Sequence, residues 1–389
     1  MTLKTLDPER LVAQACETTR LTDFGEDGWQ TGFERLVDSL CREAALNEIG
    51  IQIAAGEIGS YLCNRLALTD WHRRHAEVGA VDVAPPIVIV GQGRTGTTIL
   101  HDLMAQDPAN RVPLTWEVDR PLPPPETATF ETDPRIEEVQ AQLDMTELLI
   151  PGFKAMHPLG ARLAQECVRI TAGDFRSLIF PTQYRVPSYA RWLLADADMA
   201  HAYRWHRRFL QVLQSRHRAK RWVLKSPGHL WCLGDLLAEY PRALLVQTHR
   251  DPLKIIASLG SLIATLRRLA SDETSIAEAA SEFADYLIDG LDRSVATREN
   301  GTVSPDRIVD VQFSAFMADP LAAVRTIYDR LGLELTADAE ARMRAFLAAH
   351  PQEEHGRHRY RFADTGLDPG EWRERTRRYQ EYFDVPSEP

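Results

Sequence analysis

The feature that most limits the fold of this chain is an apolar run followed by a glycine-rich turn, IVIVGQGRTGTTILHDLM (residues 87–104). Residues 87–90 are wholly apolar, which is typical of a strand buried on both faces of a parallel sheet. Residues from Thr97 onward have apolar side chains at helical spacing, and Pro108 limits how far a helix can extend. The stretch therefore predicts a strand, a tight turn and a helix in succession.

The turn resembles a phosphate-binding loop but departs from it at one position. Residues 91–98 read G-x-x-x-x-G-T-T, whereas the nucleotide-hydrolase loop reads G-x-x-x-x-G-K-[ST]. Thr97 stands where the lysine is expected, and Arg94 lies inside the loop. Glycine-turn N–H groups, threonine hydroxyls and a guanidinium are donors suited to a tetrahedral anion. The loop thus predicts an anion site that does not reach a γ-phosphate.

Further strand–turn–helix patterns follow at residues 221–241, 242–269 and 307–332. Strands that alternate with helices predict an α/β fold with a P-loop-like open parallel sheet flanked by helices. Residues 1–80 have a helical pattern and are expected to form an N-terminal region packed on the core. Residues 81–389 are expected to form the main domain, with a helical acceptor-side insertion at about 135–221. The proline-rich stretch 120–134 must be a loop.

Composition excludes several functional classes. The net charge of −11 argues against nucleic acid as a partner, and no 18-residue apolar stretch predicts a membrane span. The Arg- and His-rich segment 203–221 is interpreted as a helix whose polar face is solvated or pairs with local acids. The first residues lack the apolar segment of a signal peptide, and the five cysteines are dispersed. We expect a cytoplasmic protein, while its oligomeric state stays open.

Several stretches, in the right order, resemble the sulfotransferases that use 3′-phosphoadenosine 5′-phosphosulfate (PAPS). GRTGTT (93–98) is similar to their 5′-phosphosulfate loop, and THRDPLKIIAS (248–258) to their 3′-phosphate segment. GRHRY (356–360) resembles the basic loop that closes over the adenosine, and RWVLKSPGHL (221–230) resembles a bacterial branch of the family. The resemblance covers roughly residues 30–385. It departs from the eukaryotic cytosolic enzymes at Arg94, where those enzymes have lysine.

The resemblance implies that PAPS is the co-substrate, with no metal. Arg94 is expected to stabilise charge on the leaving phosphate, while Arg250 and Ser258 hold the 3′-phosphate. The residues that the resemblance assigns to PAPS binding are Gly93, Arg94, Thr95, Gly96, Thr97, Thr98, Arg250, Ser258, Arg357 and Tyr360. The acceptor is expected to be a hydroxyl of a small molecule, a lipid or a glycan.

Sulfuryl transfer to a hydroxyl requires a general base, and three residues compete for that role. The resemblance favours Glu117, which follows Arg94 by 23 positions, as in some heparan-sulfate-type relatives. His157 and Glu166 are the alternatives. Lys225 ends a predicted strand on the same crevice edge and could contact the sulfuryl group or the acceptor. Aromatic residues of the insertion are either an acceptor pocket or core: Phe153, Phe175, Phe180, Tyr184, Tyr189 and Trp192.

Two other functions are compatible with the loop. A small-molecule kinase with a degenerate loop would depend on Mg²⁺ and would show no preference for a 3′-phosphate. Asp310 lies in the middle of its predicted strand, so it would be a poor metal ligand. A nucleotide-binding protein that has lost catalysis would bind the bisphosphate product and transfer nothing.

Overall fold

The computed structural model describes residues 3–149, 160–350 and 360–388. Within these ranges the strands form one parallel sheet in the order β2-β3-β1-β4-β5. The strands are β1 (Pro86–Val90), β2 (Asn110–Arg111), β3 (Arg221–Lys225), β4 (Leu244–His249) and β5 (Ile308–Gln312). This arrangement confirms the predicted open parallel sheet.

Helices surround the sheet and make up most of the remaining chain. The α-helices before the insertion are α1 (Pro8–Thr19), α2 (Trp29–Glu43), α3 (Glu48–Arg74), α4 (Ala76–Gly79), α5 (Thr97–Met104) and α6 (Thr115–Asp119). Those from residue 135 to 239 are α7 (Arg135–Leu149), α8 (Cys167–Thr171), α9 (Ile179–Gln183), α10 (Pro187–Ala195), α11 (Met199–Gln214) and α12 (Leu233–Glu239). The later ones are α13 (Pro252–Arg267), α14 (Ile276–Glu299), α15 (Phe313–Ala318), α16 (Pro320–Arg330), α17 (Ala337–Ala349), α18 (Pro369–Arg375) and α19 (Arg377–Phe383). Short 3₁₀ helices cover Leu3–Leu6, Ala172–Asp174, Pro227–Trp231, Pro305–Arg307 and Phe362–Thr365.

Strand β1 lies at the centre of the sheet and is buried on both faces. Val88 and Val90 pack in one core with residues of α11, while Ile87 and Ile89 pack in another with residues of α5 and α16. Because successive side chains of a strand point to opposite faces, a fully apolar run is what a sheet covered on both sides requires. The prediction that residues 87–90 form a strand buried on both faces of a parallel sheet is therefore confirmed.

Two boundaries differ from the sequence expectation. Strand β2 was not predicted, because its two residues, Asn110 and Arg111, carry no apolar pattern and pair only along β3. Helix α5 ends at Met104, before Pro108 could stop it. The side chain of Asn110 supplies the reason, since its Nδ2 donates to the Met104 carbonyl at 2.7 Å and satisfies the helix end.

The N-terminal helices pack chiefly against the insertion. Leu36, Leu62 and their neighbours share one buried cluster with Phe175 and Tyr189. Arg65 on α3 reinforces this contact, since its Nη1 donates to Asp174 Oδ1 at 3.2 Å. The insertion aromatics that the structure describes are therefore core rather than pocket, and Phe153 lies outside the described residues. The domain boundary near residue 80 stays a prediction.

The arginine-rich helix α11 pairs with acids nearby. Arg204 contacts Glu26 at 3.4 Å, and Arg207 contacts Glu239. These local ion pairs agree with the interpretation of segment 203–221 as a solvated, acid-paired face. In the part of the chain that the structure describes, no helix is both long and apolar enough to cross a bilayer.

Candidate active site

The glycine-rich loop connects β1 to α5 in a conformation that requires its glycines. Gly91 has φ +141°, and a Cβ there would lie 2.3 Å from Thr248 Oγ1 on β4. Gly96, with φ +86°, precedes the first residue of α5. Because the first N–H groups of a helix lack partners within the helix, this turn presents donors to an anion at the sheet edge.

Arg94 links this loop to the second predicted anion segment. Its Nε donates to Ser258 Oγ at 2.9 Å, and Arg250 Nη1 donates to the Arg94 carbonyl at 2.8 Å. Ser258, on α13, is almost fully buried. Residues about 160 positions apart thus form one cationic site. The Arg94 guanidinium points toward the predicted 3′-phosphate residue, which differs from the expected position at the leaving phosphate.

Arg250 occupies the carboxyl end of β4, at the edge where open α/β sheets bind ligands. Its guanidinium lies 4.0 Å from the centroid of the Phe313 ring, and its Nη2 is 3.5 Å from Tyr360 Oη. Glu388 accepts hydrogen bonds from both Nε and Nη2. Burial disfavours the charged guanidinium, but the hydrogen bonds and charges of Glu388 and Tyr360 together outweigh burial and raise the pKa of Arg250.

Two neighbouring guanidinium groups create the electrostatic character of this site. Burial lowers the pKa of Arg94, and repulsion from Arg250 lowers it further, against an opposing effect of Tyr360. Both charges lie in partly desolvated surroundings, where an anion stabilises them more than it would in water. The arrangement therefore favours a ligand with more than one negative group.

The loop threonines differ in what their hydroxyls contact. Thr95 is buried, and its Oγ1 donates to the Gln92 carbonyl at 2.6 Å and lies 2.6 Å from Thr248 Oγ1. Its side chain therefore stabilises the loop, which disfavours the prediction that this hydroxyl binds the co-substrate. Thr97 and Thr98 begin α5, and Thr98 Oγ1 accepts from Lys225 Nζ at 3.4 Å.

Lys225 and Glu166 meet at the centre of the crevice. Lys225 is the last residue of β3, and the register that pairs it with Ile89 brings it beside the loop. Its ammonium is buried and donates to the carboxylate of Glu166, the residue that directly precedes α8. The structure thus joins the loop, the sheet and the insertion through one ion pair.

Glu117 lies in a different environment from the one predicted for a base. It is fully buried on α6, where one oxygen accepts from Arg111 and the other accepts from the Leu114 N–H at 3.0 Å. Burial raises its pKa against the opposing effect of Arg111. Both oxygens are engaged, so the geometry favours a structural ion pair and disfavours Glu117 as general base. His157 and Arg357 lie outside the described residues, and their roles stay predictions.

Sequence reasoning missed His229, which lies on the 3₁₀ helix directly after Lys225. Its Nδ1 lies 2.8 Å from Tyr203 Oη, and its buried Nε2 has no hydrogen-bond partner among the residues that the structure describes. Burial lowers its pKa to about 3, against an opposing effect of Glu166, so the ring is neutral near pH 7. The signal was present in the stretch KSPGH (225–229), where the histidine follows the lysine by one short turn.

His229 and Tyr203 line a cavity of about 100 Å³ under the insertion. Its other walls combine apolar side chains, including Leu178, with charged ones, including Arg176 and Asp235. A concave site that combines apolar and polar side chains is a candidate pocket for a small molecule.

The fold and these contacts define a P-loop-like α/β protein in which two guanidinium groups lie beside a glycine-rich loop. Residues 85–338 match the model of the sulfotransferase family. The structure of sulfotransferase STF9 from Mycobacterium avium aligns with a TM-score of 0.89 and 30% identity over 97% of both chains. STF1 from Mycobacterium tuberculosis H37Rv aligns with a TM-score of 0.84 and 32% identity, over 95% of this chain and 98% of that one.

A further relative is the omega-hydroxy-beta-dihydromenaquinone-9 sulfotransferase Stf3 of Mycobacterium tuberculosis. It is 28% identical over 299 residues, which are 72% of this chain and 70% of the relative. The chain therefore belongs to the sulfotransferase family and is an enzyme that transfers a sulfuryl group. This confirms the resemblance seen in the sequence and disfavours the kinase alternative.

Proposed function

We propose that this sulfotransferase takes its sulfuryl group from PAPS and transfers it to a hydroxyl of an apolar, lipid-like acceptor. The observation that carries the donor assignment is the contact between the two anion segments through Arg94, Ser258 and Arg250. PAPS bears a 3′-phosphate and a 5′-phosphosulfate on one nucleoside. A site with two adjacent cations beside a glycine loop suits such a ligand.

Lys225 is proposed to face the reacting centre. Its buried ammonium contacts Thr98 at the start of α5, beside the loop donors. When bound, the donor supplies the sulfuryl group and leaves as adenosine 3′,5′-bisphosphate. Lys225 and the N–H groups of the loop would stabilise the charge that develops on the leaving phosphate, without a metal.

His229 is proposed to accept the proton of the acceptor hydroxyl. Its ring is neutral and lines the cavity, Tyr203 Oη lies 2.8 Å from Nδ1, and the buried Nε2 has no partner among the described residues. The charge of Glu166 favours the imidazolium that forms, and bound donor phosphates would favour it further. Glu166 would then orient Lys225 and support His229 rather than act as the base itself.

The lipid-like acceptor is supported by two observations. The cavity beside His229 is lined in part by aliphatic side chains of the insertion, among them Leu178 and Leu193. The Stf3 relative is named for an omega-hydroxylated dihydromenaquinone, which places a hydroxyl on a long apolar chain. We infer that a hydroxyl attached to an apolar chain fits this site better than a glycan does.

The donor assignment is tested by calorimetric titration with adenosine 3′,5′-bisphosphate and with ADP, both without Mg²⁺. We expect Arg250→Ala to weaken bisphosphate binding roughly 10- to 150-fold, because a charge-assisted hydrogen bond contributes about 1.5–3 kcal/mol. Arg242→Ala is the matched control, since Arg242 lies before β4 and is largely exposed. Equal affinity for both nucleotides, or binding only with Mg²⁺, would overturn the donor assignment.

The proton acceptor is tested by comparing His229→Gln with His206→Gln. Both rings are buried, and each has Nδ1 beside a tyrosine hydroxyl, but His206 does not line the cavity. With PAPS and an omega-hydroxylated prenyl alcohol, His229→Gln should lower kcat roughly 10²- to 10⁴-fold, as expected for loss of a general base. His206→Gln should retain the native kcat. Equal kcat values for the two variants would refute the role of His229.

A further inference from the structure

Both oxygens of the Glu388 carboxylate accept hydrogen bonds from Arg250. Arg250 Nε lies 2.9 Å from Oε1, and Nη2 lies 3.0 Å from Oε2. This two-point geometry is the one in which guanidinium groups also hold phosphate oxygens. The remaining nitrogen, Nη1, donates to the Arg94 carbonyl. Nη2 also lies 3.5 Å from Tyr360 Oη, so both edges of the Arg250 guanidinium already have protein partners while Glu388 stays in place.

Glu388 is also held through its backbone. Its N–H donates to Asp251 Oδ2 at 2.7 Å, and Arg373 donates to both oxygens of the same Asp251 carboxylate. Val385 packs in the core nearby, so only the residues after it need to move for Glu388 to leave Arg250. Displacement of the carboxylate therefore requires a short local movement and leaves α19 in place.

We propose that Glu388 is an internal competitor of the 3′-phosphate, which must be displaced from Arg250 before the co-substrate binds fully. The inference rests on the proposed assignment of Arg250 to that phosphate. A carboxylate in this position neutralises Arg250 in the unliganded enzyme and reduces the fraction of molecules able to bind the nucleotide. The apparent affinity for the nucleotide equals the intrinsic affinity multiplied by the fraction of molecules in which Glu388 has left Arg250.

The experiment compares binding of adenosine 3′,5′-bisphosphate to the native enzyme, Glu388→Gln and Glu381→Gln. Glu381 lies exposed on α19 and gives the same change of charge away from Arg250. We expect Glu388→Gln to bind roughly 3- to 30-fold more tightly, since a partly buried ion pair is stronger than the exposed pairs whose contribution is small. Glu381→Gln should bind within about twofold of the native enzyme, because its charge is exposed and screened.

Two further measurements separate competition from a positioning role. Adenosine 5′-monophosphate lacks the 3′-phosphate, so Glu388→Gln should leave its affinity unchanged. In stopped-flow measurements, the bisphosphate should associate faster with Glu388→Gln and dissociate at the native rate, because the competitor acts before the phosphate reaches Arg250. In an Arg250→Ala background, replacing Glu388 should no longer change bisphosphate affinity.

The outcomes distinguish this proposal from the donor assignment. Unchanged or weaker bisphosphate binding by Glu388→Gln, with the native enzyme still preferring the bisphosphate to the monophosphate, would overturn the competitor role and keep the donor. Equal gains for both nucleotides would likewise overturn it, because the effect would not concern the 3′-phosphate. Absence of any preference in the native enzyme would overturn the donor assignment and this inference with it.

Discussion

Substitution of Glu117 by glutamine separates a structural carboxylate from a catalytic one. Glu117 is fully buried, and its partner Arg111 has a side chain that is 4% exposed. Arg111 also donates to the Leu213 carbonyl at 2.8 Å, so its charge cannot move into water when the carboxylate is removed. Loss of one member of a buried ion pair costs about 3–5 kcal/mol, because the other charge is left uncompensated.

We therefore expect Glu117→Gln to lower the free energy of unfolding by about 3 kcal/mol in urea titrations, since the amide retains one acceptor. The kcat of the folded enzyme should stay within about threefold of native, because both oxygens of this carboxylate already accept hydrogen bonds, from Arg111 and from the Leu114 N–H. Glu126→Gln is the control: its pair with Arg216 is about half exposed, so the loss should not exceed about 1 kcal/mol. A native urea midpoint with a kcat lowered about 10³-fold would refute this reasoning and restore Glu117 as the base.

Three other substitutions test the loop, the ion pair and the response to acid. Gly91→Ala should abolish bisphosphate binding in calorimetry and lower the melting temperature, since its Cβ would meet Thr248. Gly301→Ala also introduces a side chain at a positive φ but meets no neighbouring atom, so its cost should be smaller and should leave binding intact. Lys225→Met should lower kcat roughly 10²- to 10³-fold in steady-state assays, as loss of a charge that stabilises the transition state does, and a native kcat would contradict that role. Burial lowers the pKa of His206 to about 3, so between pH 6.5 and 3 the unfolded chain binds one proton more than the folded chain and stability falls as pH falls. Urea titrations across this range give the free energy of unfolding as a function of pH. His206→Gln should reduce the slope of that free energy by about 1.4 kcal/mol per pH unit, and an unchanged slope would show that His206 is not held neutral.

The elements next to the anion loop were readable from sequence because each is determined by contiguous residues. The apolar run 87–90, the glycines of the loop and the Asp251–Pro252 start of α13 all carry local signals. The Asp251 side chain indeed accepts from the Leu253 N–H at 3.0 Å. Apolar periodicity, turn glycines and helix caps act within a few residues, so they survive without knowledge of the fold.

Which side chains share a crevice was only partly readable. The parallel sheet predicts that strand ends such as Lys225 and Arg250 meet at one edge, and they do. No local pattern connects Lys225 with Glu166, or Arg94 with Ser258, because those bonds depend on how the insertion and α13 pack on the sheet. Strand β2 could not be predicted from its own residues either, because it forms only by pairing with β3.

By itself, the sequence determined the family, the parallel sheet and the position of the anion loop, since these follow from local patterns and ordered motifs. The tertiary structure decided which titratable side chains have hydrogen-bond or ion-pair partners and which do not. Glu117 was a candidate base but is buried and paired with Arg111, whereas His229 was not a candidate but lines a cavity and has a buried Nε2 with no partner among the described residues. Burial and partner geometry arise from contacts between distant residues, and they alone determine whether a titratable side chain is structural or available for chemistry.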